Sequence, residues 1–130
     1  LYGDVLPTLR QLQDHNLQLG ILSNHSTSVR RTIEQLLGGI IPQEHITISE
    51  EVGVHKPGKT IFRRAVAKLG QKPANCAYVG DNLEVDAIAA VQQGGFAAGI
   101  WIDRSGGEPP TALPNNIYRI TSLTQLISLL

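Results

Sequence analysis

Leu6, Leu9 and Leu12 recur at intervals of three behind Asp4, with Pro7 in the first turn, where its missing N–H costs nothing. The spacing predicts a helix running from an Asp4 N-cap to about His15. Gln18 to Leu22 is a short apolar run that ends in Ser23-Asn24 and predicts a buried strand. Val29, Ile33, Leu36 and Leu37 then follow helical spacing behind a Ser26 cap, and Gly38-Gly39 stops them. His45 to Ser49 alternates around Ile46 and Ile48, a second strand. After a loop through Lys56-Pro57-Gly58, a third helix carries Ile61, Phe62, Ala65, Val66 and Leu69 and ends before Gly70.

The unit then repeats. Cys76 to Gly80 predicts a strand, Glu84 to Gln93 a helix closed by Gly94-Gly95, and Phe96 to Ile102 another strand. Asp103 to Asn116, rich in Gly and Pro, predicts a loop. Ile117 to Ile120 follows as a short edge strand, with Thr121 or Ser122 capping a last helix through Leu123, Leu126, Ile127 and Leu130. Strands alternating with helices at this spacing imply right-handed crossovers and a mainly parallel sheet. The expectation is a single α/β domain over residues 1–130, doubly wound, with helices on both faces. In such sheets function gathers at the carboxyl ends of the strands.

Composition narrows the classes. A chain of 130 residues with 42% hydrophobic and 17% charged positions can bury one core, which excludes a disordered tail or a disulfide miniprotein. Eleven basic and eleven acidic residues cancel, so nothing favours nucleic acid or an anionic membrane surface as a partner. No apolar run approaches the ~20 residues of a bilayer span. The single Cys76 excludes an internal disulfide and points to a reducing, cytoplasmic setting.

Just past the first strand stand Ser23, Asn24 and His25; past the second, the loop delivers Lys56. Past the third come Gly80, Asp81 and Asn82, then Asp86 in the first turn of the next helix. Taken singly, Ser-Asn is a cap and turn, Lys-Pro a solvated cation before a rigid turn, and Gly-Asp-Asn a turn tripeptide. In this order, with each at a strand end, they form a set that suits a phosphate and a divalent metal together. Carboxylates ligate hard Mg²⁺, while a lysine and a hydroxyl hold phosphate oxygens as their charge grows. His25 is a weaker candidate for touching a leaving group, and Asp103 for reaching the same edge. His15 and His45 read as surface residues, and Cys76 as a small hydrophobe with nothing basic beside it in sequence.

Gly20 to Asn24, His55-Lys56-Pro57-Gly58 with Ile61-Phe62 behind it, and Tyr78 to Asn82 followed by Asp86 resemble the second, third and fourth motifs of the haloacid dehalogenase (HAD) superfamily of hydrolases. The likeness runs from about residue 3 to residue 104. It implies that Ser23 holds the transferring phosphoryl group, that Asn24 supports its turn and shares in substrate binding, and that Lys56 neutralises phosphate and nucleophile. Asp81 and Asp86 would bind Mg²⁺; the lysine with two acids leans towards a small phosphorylated metabolite as substrate, while phosphonatase and dehalogenase chemistries stay open.

The chain departs from that family at its front. Members carry a strand ending in Asp-x-Asp-x-Thr or Ser, whose first Asp attacks phosphorus and whose second serves as acid and base. No Asp-x-Asp occurs here, nor any Met. The expectation is therefore the C-terminal part of a HAD-type core that lacks its central first strand, its nucleophile and its cap, and is inactive by itself. The missing strand belongs between those ending at Ser23 and Gly80, so either these two pair directly or another chain fills the slot, as a homodimer or by completion in trans. The competing function is a non-catalytic module of the same fold that binds phosphate or a protein. A signalling receiver lacks its phosphoacceptor Asp here, and no Gly-x-Gly-x-x-Gly marks a dinucleotide site.

Overall fold

The computed structural model describes residues 2–130 and places five parallel strands and their helices in the predicted alternation. Helix α1 (Val5–Asp14) leads to β1 (Ile21–Ser23), α2 (Val29–Leu37), β2 (Ile46–Ile48) and a short α3 (Ser49–Val52). Helix α4 (Lys59–Lys68) precedes β3 (Ala77–Gly80), followed by a π turn over Leu83–Ile88 that runs into α5 (Ala89–Gln92). Strands β4 (Ala98–Ile102) and β5 (Ile117–Ile120) follow, and a 3₁₀ helix (Leu123–Leu129) ends the chain.

The strands fall into two sheets. β1 pairs with β2 in register from Ile21 opposite Ile46 to Ser23 opposite Ile48. β4 lies between β3 and β5, with Gly80 opposite Trp101 and Ile102 opposite Ile120. β1 and β3 do not pair. Of the two alternatives for the slot, direct closure is thus not the one the chain adopts.

Period-two alternation decides what each face buries. Leu22 and Tyr78 turn toward α4, where Ile61, Phe62, Val66 and Phe96 form one core. Val79, Ile100 and Ile102 meet Leu12 of α1 and Leu126 of the final helix on the opposite side. Ile46 and Ile48 pack with Leu37 and Ile41, and Leu9 and Leu19 border both of these latter clusters. Side-chain packing along α1 and α4 therefore spans the two sheets. Gly99 permits the tightest of these approaches, because a Cβ there would collide with the carbonyl of Ala87 in the π turn.

Several local expectations change. Asp4 does not cap α1; its carboxylate accepts two bonds from Arg104 at 2.7 and 2.9 Å and others from the Ser122 hydroxyl and the Leu123 N–H. It thereby joins the front of the chain to the start of the last helix, a contact over a hundred residues long that local patterning cannot reveal. Arg104 also lies 3.9 Å over the Tyr2 ring. Ser28 rather than Ser26 precedes α2, and the helix expected over 84–93 opens as a π turn capped by the Asn82 side chain. Ser122 carries a full capping box. His45 is half-buried, its ring on the Leu19 carbonyl at 3.1 Å. Cys76 is half-buried, and burial pushes its thiol up.

Candidate active site

Three segments meet at the carboxyl ends of β1 and β3. The Asn24 side chain donates to the Lys56 carbonyl at 3.1 Å and accepts from the Lys56 N–H at 2.9 Å. Both ends of its amide are thus engaged in fixing the lysine loop to the end of β1. The turn behind it is fastened to α3, which the sequence pattern does not announce. Ser49 Oγ accepts from the His25 N–H at 2.9 Å and donates to the His25 carbonyl at 3.1 Å. Glu50 accepts from the Thr27 N–H at 2.6 Å. His25 is exposed, with Nδ1 accepting from the Ser26 N–H at 2.9 Å, so the neutral ring carries its proton on Nε2. Ser23, half-buried, is the last residue of β1.

Lys56 reaches from its loop to the other sheet. Its ammonium donates to Asp86 Oδ1 at 2.7 Å and to the Tyr78 hydroxyl at 2.9 Å. Tyr78 in turn donates to the Leu22 carbonyl at 2.8 Å. Burial disfavours the ammonium, but the Tyr78 oxygen and the Asp86 carboxylate outweigh it, and Lys56 is held above its ordinary 10.5. Burial pushes the Tyr78 phenol up, with Lys56 opposing. The lysine is a permanent cation at neutral pH.

The two acids differ. Asp86 is only 4% exposed, and its second oxygen accepts from the Asn82 N–H at 3.1 Å. Gly80 makes this possible, since any Cβ there would run into the Asp86 carboxylate. The π turn that presents Asp86 starts from Asn82, whose Oδ1 accepts from the Glu84 and Val85 N–H groups at 3.1 and 2.9 Å. Asp81 is exposed, and the Trp101 indole donates to its backbone carbonyl at 3.1 Å. Asp103 is held instead by Arg119 and Ser105.

Among the described residues no group of three or more His, Cys, Asp and Glu gathers as a metal cage. Asp81 and Asp86, which both follow β3, are the residues that could hold Mg²⁺ all the same, because this ion takes one or two carboxylates together with phosphate oxygens and water. Beneath the site, a cleft of about 990 Å³ separates the sheets, lined by Ile21 and Leu22 of β1, Tyr78 and Val79 of β3, Leu12 of α1 and Val66 of α4. Thr8 of α1, buried with its hydroxyl unpaired, also lines it.

Comparison with known proteins places this geometry in context. A haloacid dehalogenase-like hydrolase family model matches residues 1–94. The chain is 39% identical over 94 residues to glyceraldehyde 3-phosphate phosphatase of Methanopyrus kandleri, covering 72% of this chain and 40% of that protein. It is 38% identical over all 130 residues to N-acylneuraminate-9-phosphatase of Rattus norvegicus, covering 52% of it. The crystal structure of a HAD phosphatase from Thermococcus onnurineus superimposes with a TM-score of 0.82 at 28% identity, over 99% of this chain and 57% of that one. The chain thus spans about half the length of the curated relatives it matches.

Proposed function

Because this chain belongs to the haloacid dehalogenase-like hydrolases, we propose that it is the phosphate- and metal-handling part of a Mg²⁺-dependent phosphatase acting on small phosphate monoesters. The observation that carries the reading is the buried Lys56–Asp86 pair, 2.7 Å apart, bridging the ends of two strands. Each residue then has a task. Ser23 holds a phosphoryl oxygen, and Asn24 keeps the lysine loop against β1. Lys56 offsets the charge that grows on the phosphoryl oxygens, in a setting with little water to weaken it. Asp81 and Asp86 would hold Mg²⁺, which supplies further positive charge to the phosphate when bound.

The attacking group comes from outside these residues. We infer that an extended segment enters the cleft between β1 and β3, bringing an Asp-x-Asp to the Lys56 end. Its first carboxylate attacks phosphorus as the bond from phosphorus to the ester oxygen breaks, and the second acid gives its proton to the departing alcohol. Water, deprotonated by that second group, then cleaves the aspartyl-phosphate, releasing phosphate and restoring the carboxylate. A reducing cytoplasm suits the lone, half-buried thiol.

The test compares this chain with one extended upstream through such a strand, using an aryl phosphate with and without Mg²⁺. The extended protein is expected to turn over only with the metal, and Asp81→Asn to lower kcat by about 10² or more. The 130-residue chain is expected to show no turnover. An extended protein that carries Asp-x-Asp yet hydrolyses nothing would overturn the enzymatic reading in favour of a non-catalytic phosphate- or protein-binding module.

A further inference from the structure

Lys56 ends in an ammonium with three N–H donors on a flexible four-carbon stem, so a useful direction for that charge has to be imposed from outside. Asp86 fixes one donor, and the second meets Tyr78. We propose that Tyr78 is the positioning residue of the site: its hydroxyl, anchored on the backbone of β1, aims the Lys56 ammonium so that its third N–H faces the phosphate. The inference rests on the reading of Lys56 as the phosphate-facing cation.

The polarity of the contact is fixed by chemistry. An ammonium can only donate, so the Tyr78 oxygen accepts from Lys56 and its single proton goes to the Leu22 carbonyl. That carbonyl belongs to the strand whose next two residues are Ser23 and Asn24, and Asn24 holds the Lys56 backbone. Loop and ammonium are thereby both referred to β1, one by an amide and the other by a phenol rooted in β3. The ring is packed between aromatic neighbours. It packs edge-on to Phe62, with centroids 5.6 Å apart at 83°, and to Phe96 at 6.3 Å and 88°. Lys56 Nζ lies 5.2 Å from the ring centroid.

Tyr78→Phe keeps the ring and its packing and removes only the hydroxyl. The first measurement is the side-chain ¹⁵N signal of the Lys56 ammonium in the 130-residue chain, which is visible only when hydrogen bonds slow its exchange with water. The wild-type chain is expected to show that signal, Lys56→Ala to identify it, and Tyr78→Phe to lose it with the far-ultraviolet circular dichroism unchanged. The second is binding of inorganic phosphate with MgCl₂, expected to weaken about fivefold in Tyr78→Phe, the worth of one hydrogen bond. A signal that survives in Tyr78→Phe, or that is absent from a folded wild-type chain, overturns the positioning role. A signal lost in Tyr78→Phe in a wild-type chain that binds no phosphate supports the positioning role and sinks the phosphate reading alone.

Discussion

β2 and β3 are both edge strands, and they are treated in opposite ways. All three residues of β2 are buried, its flank covered by the Lys68 ammonium on the Ile46 carbonyl and by Arg30 on the same oxygen. β3, which faces the middle of the molecule, has one exposed and three half-buried residues. A parallel sheet ordinarily buries its centre and leaves its rim to water. Here the β2 edge is closed while the β3 edge, toward the middle, is open. The edges left without a backbone partner on either side of the cleft are those of β1 and β3.

If the halves are joined by side chains rather than by a backbone ladder, cutting that packing should separate them before either unfolds. Phe62 offers the largest effect. It is fully buried and touches Tyr78 and Phe96, in a cluster that also includes Leu22 of the first sheet. Phe62→Ala is expected to cost about 3–5 kcal/mol, read from urea unfolding, with amide protection falling in β1 before β4. Equal loss of protection in both sheets would show that they behave as one cooperative body.

The alternation of strands and helices was legible in the sequence because period-two and helical spacings are local. So were the ends of β1 and β3, where Ser23, Asn24, Asp81 and Asp86 stand as predicted positions with apolar runs before them. Tyr78 was not. Within an apolar strand it reads as one more core aromatic, and nothing local says that its hydroxyl crosses to Leu22. Asp4 misled for the reverse reason. It had every local mark of an N-cap, but Arg104, Ser122 and the Leu123 N–H offered more partners than the first turn of α1 could. The break in the sheet could be anticipated only as an alternative, since pairing between strands is non-local.

Asp4 gives a smaller but more specific lever on the join. Paired with Arg104 and bonded to the Leu123 N–H and the Ser122 hydroxyl, its carboxyl is held well below its ordinary 3.8, Arg104 contributing most. As pH falls, the unfolded chain therefore takes up the proton first. The clasp's contribution is complete at neutral pH and drains away below about pH 4. Asp4→Asn is expected to lower stability by about 1–2 kcal/mol at pH 7, screening by solvent keeping it modest, and the difference from wild type should shrink in acid. A difference that grows or stays level between pH 6 and pH 3 would rule out the clasp as its source.

Glu51 supplies the contrast within one half. It accepts from Arg30 at 2.7 Å, and the guanidinium holds its carboxyl below the ordinary range. Arg30 keeps other acceptors in the Gln43 and Ile46 carbonyls, so losing Glu51 leaves no buried charge stranded. Both partners are about a quarter exposed, which puts the pair among surface ion pairs, and Glu51→Gln is expected to cost only about 0.5 kcal/mol. What matters is where the loss is felt. Asp4→Asn severs a contact between α1 and the last helix, and should loosen amides on both sides of the cleft. Glu51→Gln lies wholly within the β1–β2 half, so exchange should quicken in α2 and β2 and remain unchanged in β3, β4 and β5. Faster exchange in β4 on losing Glu51 would mean that the cleft does not divide the molecule energetically, even though it divides the sheet.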